Sequence, residues 1–112
     1  MTAALGFSKK TVEVDTRHFL IEVLKFENGN FVSVSESSKR LGSMVVSLST
    51  GPVPVTTTVI PARTESLFLK LTAEKISTST RGIAIVSAYV QRELEPDTAK
   101  TLMTAIMELI QT

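Results

Sequence analysis

No cysteine occurs anywhere in this chain, which excludes disulfides, zinc ribbons and thiol nucleophiles and leaves the redox compartment unmarked. Tryptophan is absent too, and one tyrosine with five phenylalanines is little from which to build a base-stacking surface. An excess of one charge is also missing: 12 basic residues stand against 11 acidic ones, for a net charge of +1. With no basic stripe, neither nucleic acid nor an anionic membrane surface is an expected partner. The longest apolar stretches, FLIEVLKF and GIAIVSAYV, are interrupted by polar residues and fall far short of the roughly 20 residues that span a bilayer. The opening MTAALGFSKK places its lysines after a very short apolar stretch, the reverse of a secretory signal, so a cytoplasmic protein is expected.

Catalytic chemistry finds few materials here. His18 is the only histidine, and a hydroxyl nucleophile needs a base within hydrogen-bond reach. Asp15 lies nearby in sequence, but a neighbour across a strand turn is a poor relay, and His18 reads as a strand-end residue at the sheet rim. With one His and no Cys, a metal would have to be held by carboxylates, and the acidic residues show no calcium-loop spacing. The segment SSKRLGS sets Lys39 and Arg40 before Gly42, whereas a phosphate loop needs its Lys after the glycines and at the start of a helix. Ser37, Lys39 and Arg40 are therefore read as a solvated polar loop and as the candidate loop for contact with a protein partner. Glu93 and Glu95 read as solubility and helix-start charges. No catalytic, cofactor or metal residue is expected, and the chain is read as a non-enzyme.

The positive content of the sequence lies in its apolar patterning. In Arg17–Glu27, Leu20, Leu24 and Phe26 share one parity while Phe19, Ile21 and Val23 share the other. Gly82–Val90 repeats this, with Ile83 and Ile85 against Ala84, Val86, Ala88 and Val90. A strand buried on one side alternates apolar with polar, so strands apolar on both sides need two covers. Phe19, Ile21, Val23, Ile83 and Ile85 are the candidate core or dimer residues of that sheet. The composition agrees, being 43% hydrophobic with a mean hydropathy of +0.22 despite 21% charged residues, which points to apolar surface at an interface.

Along the chain, Met1–Ser8 reads as a mobile arm, followed by one domain over residues 9–112. Strands are expected at Lys9–Asp15, Arg17–Glu27, Phe31–Ser35, Ser43–Ser49 and Val53–Ile60, with Asn28-Gly29-Asn30 and Thr50-Gly51-Pro52 as turns. Pro54 marks an edge or a strand start. From Thr64 the period becomes helical through Leu69, Ala73 and Ile76, with Thr64 or Ser66 as cap and Gly82 after the end. Strand Gly82–Val90 follows. Pro96 and Asp97 then open a terminal helix with Ala99, Leu102, Met103, Ile106, Leu109 and Ile110 on one face; Met103 is read as core and Met107 as the edge of that stripe. The expected fold is α+β: a six-stranded, largely antiparallel sheet in the order βββββαβα, two helices on one face and the other face used for dimerisation.

The segments KTVEV, RLGSMVVSLS, PVTTTVI, ESLFLKLTAEKIS and GIAIVSAYV leading into TLMTAIMELI, taken in order over about a hundred residues, make the chain resemble the third proteasome assembly chaperone family. The resemblance implies a non-enzymatic, ATP-independent chaperone, a homodimer or a heterodimer with a related paralogue, that engages a proteasome α subunit during ring assembly. Ile110-Gln111-Thr112 differs from the hydrophobic-Tyr-any tail by which other proteasome binders dock, so a pocket-docking role is not expected. Exposed loops at Glu36–Gly42 and Gln91–Asp97 would carry recognition. The alternatives are a dimeric roadblock or profilin-like adaptor for a GTPase, whose folds usually begin with a helix, and a small enzyme or ligand-binding domain with His18 in an enclosed cleft.

Overall fold

The computed structural model describes residues 6–111. Its elements are β1 (Gly6–Val14), β2 (Arg17–Phe26), β3 (Gly29–Glu36), β4 (Ser43–Leu48), β5 (Val55–Ile60), α1 (Ser66–Thr80), β6 (Ile83–Tyr89) and α2 (Pro96–Gln111). One six-stranded sheet runs β1-β2-β3-β6-β4-β5; β3 and β6 are parallel and every other neighbouring pair is antiparallel. Both helices lie on one face, which is the α+β arrangement expected. β5 is an edge strand and Pro54 immediately precedes it, satisfying both readings of that proline.

Local chemistry sets the boundaries. β1 starts at Gly6, so residues 6–8, expected in a mobile arm, pair instead with Val23–Lys25 of β2; the rest of the expected arm, 1–5, lies outside the described residues. β1 stops at Val14 because Asp15 takes φ +56°, a left-handed conformation that Asp tolerates in a tight turn. The β2–β3 turn is shorter than the Asn28-Gly29-Asn30 reading. Phe26 pairs with Gly29, so Glu27 and Asn28 alone make the loop and Gly29 already belongs to β3. Gly29 is needed for room rather than for turning: a Cβ there would run into the backbone carbonyl of Ile83 on β6. β5 begins at Val55, two residues later than expected, once Pro54 no longer blocks the ladder.

The core is built from one parity of each strand except β5, which contributes no buried residue. Val12, Phe19, Ile21, Val23, Val32, Val34, Val45, Ala84, Val86 and Ala88 pack under Phe68, Leu69, Ala73 and Ile76 of α1 and Leu102, Ala105, Ile106 and Met107 of α2. Met107 is buried and Met103 only half-buried, the reverse of the roles expected for them; of the expected α2 face Leu102 and Ile106 are buried and Ala99, Met103, Leu109 and Ile110 pack half-buried against the same core, while Thr98, Ala105 and Met107 are buried in addition.

The serines and threonines that weaken α1 as an isolated helix are used in its packing. Ser77 Oγ lies 3.0 Å from Ser47 Oγ of β4, Ser47 meets Thr56 of β5 at 3.1 Å, and Thr56 donates to Glu74 Oε2 at 2.7 Å. The cap is Glu65, not Thr64 or Ser66. Its buried carboxylate accepts from Ser43 Oγ at 2.8 Å and from the Thr64 N–H at 3.0 Å, tying the start of α1 to the start of β4. Burial pushes the Glu65 carboxyl up, but the hydrogen bonds from Ser43 and Thr64 outweigh it and leave the group below its ordinary range. Arg81, at φ +56°, closes the helix, and the Gly82 N–H donates to Ser77 O.

Candidate interaction surface

The strand parity that does not meet the helices forms a second, open face. Register aligns its side chains into rows across the sheet: Phe7, Leu24, Phe31, Ile85, Val46 and Thr57 in one, and Phe26, Gly29, Ile83, Leu48 and Val55 in the next. Both rows are apolar over most of their length. Leu24 is 42% exposed, Phe26 58% and Phe7 53%, values that an aqueous surface does not favour over so wide an area. Two adjoining hollows share Leu24 and Phe31. One, of about 430 Å³, is also lined by Phe7 and Leu41; the other, of about 350 Å³, by Phe26, Ile83 and Ile85.

Beyond these rows the open face turns polar, and the segment Ser37–Gly42 lies over it as a strap. Ser35 Oγ donates to Arg40 O at 3.1 Å, and the Gly42 N–H donates to Ser87 Oγ at 3.1 Å. Lys39 Nζ pairs with Glu22 Oε2 at 3.0 Å, and the Arg40 guanidinium stands 5.1 Å from the centre of the Tyr89 ring. Ser35, Ser87, Glu22 and Tyr89 all belong to the open-face parity. The solvated loop expected from SSKRLGS is thus fastened to the sheet, with Leu41, 65% exposed, standing at the rim of the larger hollow.

The candidate sheet residues divide between the two faces. Phe19, Ile21 and Val23 are at most 1% exposed and belong to the core beneath the helices, whereas Ile83 and Ile85 are half-buried on the open face. Lys39 and Arg40 are brought beside Leu24 and Phe31 at the larger hollow, whereas Ser37 lies at the start of the strap, beside His18. Ser37 holds φ +68° and its N–H donates to His18 O, which is the bend that turns the strap back over the sheet.

A buried ionic cluster at the opposite end of the strands escaped the sequence reading. Arg17 donates from Nε to Glu36 Oε2 at 2.9 Å and from Nη2 to Glu36 Oε1 at 2.8 Å. The same guanidinium donates to the carbonyls of Arg92 and Glu93 and to Glu95 Oε1. Glu36 in turn accepts from the Gln91 N–H. Its hydrogen bonds from Arg17 hold the Glu36 carboxyl below the usual range against the burial that would raise it, and Glu36 raises Arg17 in return. One guanidinium therefore sets the path of the β6–α2 loop, including Glu93 and Glu95, which had read only as surface charge. Its signal in the sequence is a lone Arg opening one long strand and a lone Glu closing another, which gains meaning only with the register.

His18 is exposed, with Nδ1 3.2 Å from Glu13 Oε2 on the neighbouring strand; it lines none of the hollows described and sits beside neither Asp15 nor an enclosed cleft. Among the described residues no three His, Cys, Asp or Glu side chains gather in a way that could hold a metal ion. No helix among them is long and apolar enough to cross a membrane.

No family model matches the chain, and no curated protein sequence matches it significantly. Solved structures do match. A chain in the crystal structure of a novel chaperone complex for yeast 20S proteasome assembly superposes with a TM-score of 0.67 at 10% sequence identity, covering 94% of this chain and 94% of that one. At that identity the likeness establishes the fold: this chain has the fold of a subunit of a yeast proteasome assembly chaperone complex over nearly its whole length.

Proposed function

We propose that the chain is a non-enzymatic chaperone that assists assembly of the 20S proteasome α ring, acting as a dimer and binding an α subunit. The observation that carries this reading is the open apolar face, on a fold shared end to end with a subunit of a yeast 20S proteasome assembly chaperone complex. Rows running from Phe7 to Val46 and from Phe26 to Val55 have no cover within the described residues.

A second sheet of the same kind is the natural cover. Two sheets packed face to face interdigitate side chains about 10 Å apart, and the hollows beside Leu24 and Phe31 would receive them. The partner is a second copy or a related paralogue. Ser37, Lys39 and Arg40, on the strap beside this face, and the loop 91–97, fixed by Arg17, are the surfaces assigned to the α subunit. Such contacts are expected to be modest in area with a polar rim, because the client must leave once the ring is complete.

The test is direct association. The purified chain is mixed with each proteasome α subunit of the same organism and the mass of the complex is read by light scattering. A complex of two chaperone chains with one particular α subunit is expected. A chain that stays strictly monomeric at micromolar concentration and binds none of the α subunits removes this function.

A further inference from the structure

Glu36 anchors two segments that are far apart in the chain. Its carboxylate, on a residue 2% exposed, accepts both hydrogen bonds of the Arg17 fork and a third from the Gln91 N–H at 2.9 Å, 55 positions away. Arg17 in turn holds the Arg92 and Glu93 carbonyls, so the start of the 91–97 loop is fixed outward from this one carboxylate. The backbone of the same residue starts the strap. Glu36 O accepts from the Ser38 N–H at 2.7 Å, and Ser37 bends at φ +68° with its N–H on His18 O.

The two segments meet a second time on β6. The Gly42 N–H donates to Ser87 Oγ, Ser43 Oγ at the start of β4 donates to Ala88 O at 3.3 Å, and Arg40 stands over the Tyr89 ring. Tyr89 is the last residue of β6, and Gln91 follows two positions on. Strap and loop therefore share a floor as well as an anchor. Phe26 and Gly29 stand at the other end of their strands from Arg17 and Glu36, so a cover laid on the apolar rows leaves this end accessible.

The exposed charges here are of both signs. Lys39 is matched by Glu22, and Arg92 lies 3.7 Å from Glu95. Arg40 on the strap and Glu93 and Asp97 on the loop are exposed and enter no ion pair among the described residues. Unmatched charges of opposite sign side by side suit the mixed surface of another folded protein and not a polyanion. Segments already held in place also lose less freedom when a partner arrives.

We infer that the strap and the 91–97 loop are one recognition surface, held as a unit by Glu36 and read by a single α subunit that sets an acidic group against Arg40 and a basic one against Glu93. The inference rests on the function proposed above and adds that the two segments act together. Loosening one loosens the other.

Amide exchange in the isotope-labelled chain tests the unit without any partner. Loop amides exchange through local opening, so a loss of global stability alone leaves their rates unchanged. Glu36→Gln weakens the anchor, and Tyr89→Leu removes the platform under Arg40 while leaving Glu36 in place. Each should quicken exchange several-fold in both 37–41 and 91–95. A response confined to one segment in either variant overturns the joint surface, and Tyr89→Leu decides alone if Glu36→Gln does not fold. The partner is tested with the α subunit found by light scattering. Arg40→Glu and Glu93→Lys should each weaken its binding several-fold, and reversal of the exposed Lys100 on α2, Lys100→Glu, should not. Binding that ignores both reversals, or falls equally with Lys100→Glu, overturns the inference even though the chaperone function stands. Absence of binding to every α subunit removes that function and with it the partner, and the exchange rates then decide whether strap and loop are one unit.

Discussion

Arg17 and Glu36, nineteen positions apart, meet through two parallel hydrogen bonds in a place where both side chains are at most 3% exposed. Removing one member of a buried pair strands the other charge and costs about 3–5 kcal/mol, whereas replacing both with apolar groups is often neutral. Arg17→Met should lower stability in urea titration by that amount. Amide exchange in residues 91–95 should quicken with it, because the Arg92 and Glu93 carbonyls lose their donor. Arg17→Met combined with Glu36→Leu should regain most of the lost stability; a double variant no better than the single one contradicts the account.

Acid should unfold the protein through the same carboxylates. Glu36 and Glu65 both titrate below their ordinary value of 4.5 in the folded chain. A lowered folded pKa gives stability that is complete above the unfolded value and lost as pH falls through the folded one. Urea midpoints should therefore hold steady from neutral pH to about pH 4.5 and drop below it. Glu65→Gln should shallow that drop, and an unchanged slope would remove Glu65 from the explanation. Arg17, raised further above its already high value, keeps its charge throughout.

The division of the candidate sheet residues between two faces predicts two different phenotypes. Ile21→Ala opens a cavity beneath the helices and should cost about 2–5 kcal/mol. Ile85→Lys puts a charge in the middle of the open-face row, so circular dichroism and urea midpoint should change little while sedimentation equilibrium shows loss of self-association. An Ile85→Lys protein that associates as the parent does would place the dimer contact elsewhere.

Gly42 tests the strap. A Cβ at this position would run into the Ala88 carbonyl, so Gly42→Ala must lift the strap from the sheet. The expected cost is about 1–3 kcal/mol, as for other forced overpacking. The Lys39–Glu22 and Arg40–Tyr89 contacts should loosen with it, seen as faster proteolysis between Ser37 and Leu41.

Where local pattern decided the outcome, the sequence was enough. The two parities of Arg17–Glu27 and Gly82–Val90 carry the two faces directly, because strand side chains alternate whatever the strand pairs with. The apolar period after Pro96 likewise sufficed for α2. What stayed hidden depends on residues far apart. Nothing near Ile83 specifies that β6 runs parallel to β3 between it and β4, and hence nothing near Arg17 foretold Glu36, Arg92 and Glu93 as its acceptors. Lys39 and Arg40 are exposed, as the sequence suggested, but their contacts with Glu22 and Tyr89 were hidden because those partners lie 17 and 49 positions away. Phe7 looked like part of an arm because its pairing with Leu24 is set by register, not by neighbours.

The late arrival of β6 governs the order in which the protein can be made. A chain emerging from its N-terminus presents β1–β2–β3 as one meander and β4–β5 as one hairpin, with no ladder between them until Ile83–Tyr89 slots in and bonds to both. Before that moment β3 and β4 each offer a bare side to any other nascent strand, so the heptapeptide Ile83–Tyr89 is the keystone of biosynthesis. Translation slowed ahead of it would prolong the interval in which newly made chains are most prone to clump.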